Sequence, residues 1–196
     1  MTRFSRFFLC VLSIIALAMY ALAPAVAASD GFMNSRLGSI PHGLPAPTEV
    51  KMPKKFEPGT IVVVVEHRRL YYVTESGKAL RYVVGVGREG MSWKGTAEIA
   101  RKVEWPAWTP PAEMRARASK KGVMLPQQLD GGPGNPLGAR AMYLYQNGKD
   151  TLYRIHGTNQ PSELGKATTA GCIRMLNHHV VDLYKRVKKG TTVIVM

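Results

Sequence analysis

The sequence predicts a mainly β domain with one or two helices, and three observations carry that expectation. From Ile61 onward, the runs "TIVVVVE", "RLYYVTE" and "ALRYVVGVG" are short, β-branched and aromatic, and are separated by the turn-forming "HR" and "SGK". That is the pattern of consecutive antiparallel strands. Further on, the Gly/Pro-rich "LDGGPGNPLGAR" is followed by two more such runs, "AMYLY" and "TLYRIHG". Only near the C-terminus does a clear helical period appear: Val180, Leu183, Tyr184 and Val187 fall at i, i+3, i+4 and i+7 and make one apolar face.

In chain order, the first element is a targeting segment. Arg3 and Arg6 make a short basic region, Phe7 to Ala23 is an uncharged apolar run of 17 residues, and Ala25-Val26-Ala27 supplies small residues for cleavage. This three-part pattern predicts a secretory signal peptide over residues 1–27, with export to the periplasm or cell wall. An uncleaved membrane anchor is the alternative, since the run is a little long for a signal, though short of the roughly 20 residues that span a bilayer. Residues 28–58 are rich in Pro, Gly, Ser and Lys and show no sustained period, which marks an arm or linker. The folded domain is then 59–196. Within it "TAEIARKVEW" reads as a further strand and "EMRARASKKG" as a short helix ending at Gly122. For the C-terminal helix, Asn177 suits the N-cap, Lys185, Lys188 and Lys189 suit the last turn, and Gly190 suits the stop. "TTVIVM" closes the domain as a strand.

The 196-residue chain has 27 Lys and Arg against 13 Asp and Glu, a net charge of +14. Removing residues 1–27 takes Arg3 and Arg6 with it and leaves 169 residues at net +12, enough for one domain with its own core. Such a charge favours anionic partners. For an exported protein these belong to the bacterial envelope, and nucleic acid is not expected. Two stretches resemble known sites and fail on context. "GVGREG" matches a dinucleotide-binding glycine pattern, but "MSWKGTAEI" follows it without helical period. His156, Cys172, His178 and His179 are metal-ligand types without paired ligand spacing, so no metal and no cofactor is expected.

Once the leader is gone, Cys172 in "GCIRM" is the one cysteine left, since Cys10 lies in the apolar run. Exported proteins normally keep cysteines in pairs. A lone thiol suits either a small buried hydrophobe or a nucleophile. Its neighbours favour the second reading. Gly171 permits unusual dihedrals, Arg174 brings positive charge, and His156 ends a strand 16 residues upstream. Along that strand Leu152, Arg154 and His156 share one face, while Tyr153 and Ile155 share the other. A histidine base lowers the pKa of a neighbouring thiol and makes it reactive at neutral pH.

The stretch "IHGTNQPSELGKATTAGCIRM" closely resembles the catalytic signature of bacterial L,D-transpeptidases, the YkuD-type domain. "GVGREG", "PAWTPP" and "NPLGARAM" resemble other stretches of that family in the same order, so the resemblance covers about residues 59–196. It implies a YkuD-like β-sandwich or barrel with the catalytic cysteine next to a C-terminal helix. It also implies a peptidoglycan acyl transferase. Cys172 would attack the third residue of a stem tetrapeptide, D-Ala would leave, and an amine would take the acyl group from the thioester. That amine would lie on a neighbouring stem or on a wall-attached protein. His156 would be the base, and the Gly157 carbonyl would orient its ring. The backbone at Gly171 and Cys172 would hold the oxyanion, Arg174 would hold the loop or a substrate carboxylate, and Trp105 and Trp108 would line the groove or pack in the core or a loop. Carbapenem-type β-lactams would acylate the cysteine. An L,D-carboxypeptidase and a non-catalytic wall binder are the alternatives. One departure stands out: many members carry Ser and then a polar residue before Gly-Cys, where this chain has Thr169 and Ala170.

Overall fold

The computed structural model describes residues 44–196, so the expected signal peptide and most of the arm lie outside the described residues. Strands β1 (Thr48–Lys51), β2 (Ile61–Val64), β3 (Arg69–Glu75), β4 (Lys78–Val83), β6 (Gly95–Glu104), β7 (Arg140–Gln146), β8 (Lys149–His156), β10 (Ile173–Arg174) and β11 (Thr192–Val195) form one sheet. Its order is β1-β4-β3-β2-β11-β6-β7-β8-β10. The β2–β11 and β8–β10 pairs are parallel and the other pairs antiparallel. The sheet curls back on itself, because Gly85, just past β4, exchanges backbone bonds of 2.9 and 2.8 Å with Arg174 of β10. The short β5 (Val86–Gly87) and β9 (Ala167–Thr169) pair separately and in parallel. Helices α1 (Ala112–Ser119) and α2 (Asn177–Arg186) complete the mainly β domain that the residue pattern predicts.

The core follows from that pattern. Ile61, Val63, Leu70, Tyr82, Ile99, Leu144 and Ile155 are fully buried from the strands. From α2, Val180 and Leu183 meet them, Val187 follows just past the helix end, and Tyr184 packs at the margin. The expected apolar face of the helix is therefore the buried one.

The ends of α2 differ from expectation. Asn177 is the first helical residue rather than the cap, which is Leu176 and makes no side-chain capping bond. Its buried carboxamide is used elsewhere: Oδ1 accepts from the N–H of Ala139 at 3.0 Å and of Thr158 at 3.2 Å. At the other end the helix stops at Arg186, and Val187 is already extended. Gly190 instead takes a positive φ of 83° in the turn before β11. The last carbonyls are met by Lys102 of β6, whose Nζ donates to Tyr184 and Val187 at 2.7 and 2.6 Å. A lysine from the sheet thus does what the three lysines near the helix end were expected to do.

The arm also carries a strand. β1 lies within residues 28–58 and pairs with β4, with Thr48 opposite Arg81 and Lys51 opposite Lys78. Its short, charged and mostly exposed sequence carries no apolar alternation, so period alone does not reveal it.

Asn177 holds two loops that flank the end of β8, and its removal leaves two buried N–H groups without an acceptor. Asn177→Ala is expected to cost about 2–4 kcal/mol in a chemical denaturation measurement. A change within about 0.5 kcal/mol, the range of ordinary surface substitutions, would show that the loops are held by other means.

Candidate active site

The site is built by the parallel pairing of β8 with β10. Ile173 lies opposite Ile155 and Arg174 opposite His156. Ile155 and Ile173 are both buried and face the core. Side chains alternate along a strand, so Arg154, His156, Cys172 and Arg174 all stand on the other face. One residue back along both strands, Cys172 comes level with Arg154, and His156 is its diagonal neighbour. The sequence-predicted nucleophile and base are thus brought together.

His156 is fully enclosed. Its Nδ1 lies 2.6 Å from the Gly157 carbonyl oxygen. A carbonyl can only accept, so Nδ1 carries the proton and Nε2 keeps its lone pair. The expected orienting role of Gly157 is therefore present as geometry. Gly157 is also required by space: a Cβ there would run into the Asn177 carboxamide and come within 2.9 Å of the Ala139 nitrogen. Burial lowers the His156 pKa to about 4, against the Gly157 carbonyl bond, which pulls it up. The Arg174 and Arg154 charges push it down further.

Cys172 is a free, half-buried thiol. Burial pushes its pKa above the ordinary thiol value, and this outweighs a hydrogen bond from the Arg154 backbone and the Arg154 and Arg174 charges. A histidine neighbour was expected to lower the thiol pKa, and burial raises it instead. At neutral pH both partners rest uncharged, as thiol and imidazole.

The nucleophile turn is braced internally. Thr169 Oγ1 donates to the Cys172 carbonyl at 2.7 Å and accepts from the Gly171 N–H at 3.1 Å. That bond occupies the Gly171 N–H, so the oxyanion role expected at Gly171 does not fall to its amide. What Gly171 supplies is shape. Its φ is +126°, and a Cβ would strike the Tyr153 ring and approach the Met91 carbonyl at 2.8 Å. Arg174 is tied to Glu163, which sits in a short 3-10 turn (Pro161–Glu163) between base and nucleophile. This bond ties the loop, while the Arg174 Nε is buried and makes no hydrogen bond among the described residues.

Two tryptophans bear on the site. Trp108 exchanges two 2.8 Å backbone bonds with Leu129 at the base of the 105–138 excursion, and its side chain is half-buried. Trp93 is the tryptophan beside the nucleophile turn, stacked on Tyr153 at 5.8 Å. It sits in a Gly/Met/Ser-rich loop with no period to single it out. Asn135 gathers the excursion through Nδ2 bonds to the carbonyls of Pro106, Leu129 and Asp130.

Comparisons with known proteins agree on the family. The model of the L,D-transpeptidase catalytic domain, YkuD, matches residues 58–195. The chain is 35% identical over 154 residues to the probable L,D-transpeptidase ErfK/SrfK of Escherichia coli, covering 76% of this chain and 47% of that protein. It is 46% identical over 71 residues to the putative L,D-transpeptidase YqjB of Bacillus subtilis, covering 35% of this chain and 40% of that one. The chain spans about half the length of the curated relatives it matches. Among solved structures, an Enterococcus faecium L,D-transpeptidase superposes with a TM-score of 0.53 at 18% identity, over 72% of this chain and 50% of that one, a likeness of fold. A Brucella melitensis protein described as a probable carnitine operon oxidoreductase, caia, is 44% identical with a TM-score of 0.52, over 82% of this chain and 98% of that one. In the present chain the glycine-rich stretch after β4 leads through a turn into β6 and not into a helix. With a family model covering most of its described length, the chain belongs to the YkuD family of L,D-transpeptidase catalytic domains.

Proposed function

We propose that the chain is an exported peptidoglycan L,D-transpeptidase with Cys172 as nucleophile and His156 as base. One observation carries this reading: the β8–β10 register brings Cys172 beside the strand that ends in His156, whose Nδ1 is held by the Gly157 carbonyl. Both rest uncharged, so the proton moves as the bond forms. His156 Nε2 takes the thiol proton while Sγ attacks the carbonyl of the third stem residue, a diaminopimelate centre of L configuration. The Cys172 backbone N–H faces the developing oxyanion. The tetrahedral species collapses, His156 passes the proton to the leaving amine, and D-Ala departs from a thioester. An acceptor amine then attacks, gives its proton to His156, and the thiol is restored as the amide forms. The acceptor is an amine on a neighbouring stem, giving a 3-3 cross-link, or one on a wall-attached protein. The net charge of +12 after leader removal suits an enzyme working on an anionic wall.

The names of the relatives support the reaction class. Solved neighbours include a faropenem-derived adduct of an L,D-transpeptidase from Mycobacterium tuberculosis, and this supports β-lactam acylation here.

Purified protein incubated with disaccharide-tetrapeptides is expected to release D-Ala and form cross-linked dimers. Free tripeptide without dimers would identify a carboxypeptidase instead. Incubation with a carbapenem is expected to leave one covalent adduct on the tryptic peptide containing Cys172. Cys172→Ala should form none, and His156→Ala should acylate roughly 10²–10⁴-fold more slowly. Acylation of His156→Ala at the parent rate would mean that another group takes the thiol proton.

A second expectation concerns pH. With the thiol pKa raised, alkylation by a small neutral reagent such as iodoacetamide should climb with pH and inflect above the ordinary thiol range of about 8.5. With the imidazole pKa lowered, no inflection from His156 should appear near 6.5. A rate already flat between pH 5 and 8 would indicate a preformed thiolate–imidazolium pair and overturn the neutral resting state.

A further inference from the structure

The thiol of Cys172 feels a cation, Arg154, that the mechanism above does not use. The β8–β10 register sets Arg154 level with Cys172, whereas Arg174 is one step further along, level with His156. Both arginines are paired to a carboxylate, Arg174 to Glu163 and Arg154 to Asp150, but the Arg174 Nε is buried whereas Arg154 keeps one edge of its guanidinium unbonded among the described residues. Its Nη1 donates to Asp150 Oδ1 at 2.7 Å and to the Tyr153 carbonyl at 2.9 Å, and its Nη2 donates to Asp150 Oδ2 at 2.9 Å. The guanidinium also lies 4.4 Å from the centre of the Tyr143 ring, which meets Arg101 at 4.5 Å as well. These bonds engage three of the five guanidinium N–H donors. The Nε–H and the second Nη2–H share one edge of the plane, and neither makes a hydrogen bond among the described residues. That edge has the spacing to take a carboxylate in two parallel bonds. Asp150 and Tyr143 fix the side chain in advance, so little rotamer entropy remains to be lost on binding.

The chemistry of the site indicates which carboxylate this would be. In a donor whose leaving group is a single amino acid, the free carboxylate is three bonds from the carbonyl that Cys172 attacks. A cation level with the nucleophile is therefore within reach of it. We propose that Arg154 is a specificity-determining residue that receives the terminal carboxylate of the acyl donor and confines the reaction to donors ending one residue past the scissile bond. This rests on the transferase reading above and names its substrate class more narrowly. Asp150 and Tyr143 are positioning residues for Arg154. A donor blocked at that carboxylate, or extended by another residue, leaves the prepared edge unmatched.

The test compares a stem tetrapeptide ending in D-Ala with the same peptide ending in D-alaninamide, as donors for the purified full chain, with products read by mass spectrometry. The free acid should be preferred in kcat/KM by about ten- to a hundredfold, the usual worth of a hydrogen bond to a charged group. Arg154→Gln should bring that ratio close to one, chiefly through KM for the acid. Arg154→Lys keeps the charge without the fork and should retain part of the preference. Equal use of acid and amide by the parent would overturn the proposal while leaving the transferase reading intact, as would a full preference surviving in Arg154→Gln. If that variant does not fold, the parent comparison and Arg154→Lys decide. Turnover of neither donor by the parent would overturn the transferase reading and this proposal with it.

Discussion

The two-residue parallel pairing of β10 with β8 is the constraint on which the site depends. Parallel strands need a crossover, and here it is the loop from Gly157 to Gly171, much of it without regular structure. So short a ladder cannot hold itself together through backbone bonds worth about 1 kcal/mol each. It is held by what it buries. Ile155 and Ile173 occupy adjacent places in the core, each contributing roughly 1.5–3 kcal/mol of apolar burial. A slip of one residue would turn Ile173 out to solvent and Cys172 into the core, so the apolar side of the ladder dictates its polar side. Further ties lock the same register: the Gly85–Arg174 bridge, the Met175 N–H on the His156 carbonyl, and the Asn177 carboxamide behind Gly157.

The electrostatics of the pair follow from where that ladder lies. Two guanidinium groups near a thiol should favour its thiolate, and the Gly157 carbonyl should favour an imidazolium. Burial opposes both and is the larger effect on each group. Desolvation penalises a charged form wherever water is excluded, whereas each arginine has already spent much of its field on a carboxylate, Arg154 on Asp150 and Arg174 on Glu163. The result is a neutral pair whose proton transfer is coupled to attack. A neutral thiol is less open to stray electrophiles than a free-standing thiolate.

Most of the fold was legible in the sequence because strand runs and the helical face are statements about burial, and burial decided them. The strands after Ile61, the short helix before Gly122 and the apolar face of α2 all follow from residue pattern. Reading failed where a residue's partner was distant. Asn177 has the chemistry of a cap, but the donors it satisfies belong to Ala139 and Thr158, two loops away in sequence. The C-terminus of α2 was assigned to nearby lysines, yet Lys102 from β6 reaches it. Within the site, His156, Cys172 and the Gly157 carbonyl were legible, because the motif preserves their spacing. The state of the Gly171 amide was not, since it depends on which way a threonine hydroxyl turns. Trp93 was missed for the same reason as β1: neither has a local pattern, and both owe their place to tertiary pairing.

The Thr169-Ala170 departure from the family pattern shows how such a turn can be sustained. Ala170 is exposed, so in this chain that position offers no side chain to the site. Thr169 is buried, and its one hydroxyl both donates to the Cys172 carbonyl and accepts from the Gly171 N–H. A serine could make the same two bonds. The threonine methyl adds stiffness, since a β-branched side chain has few rotamers and its hydroxyl is held in one direction. The turn carrying the nucleophile is thus closed from within by residue 169 and from outside by the Tyr153 ring against Gly171. Neither closure needs residue 170. The turn therefore does not depend on position 170, since His156 and Cys172 are already placed by the β8–β10 register.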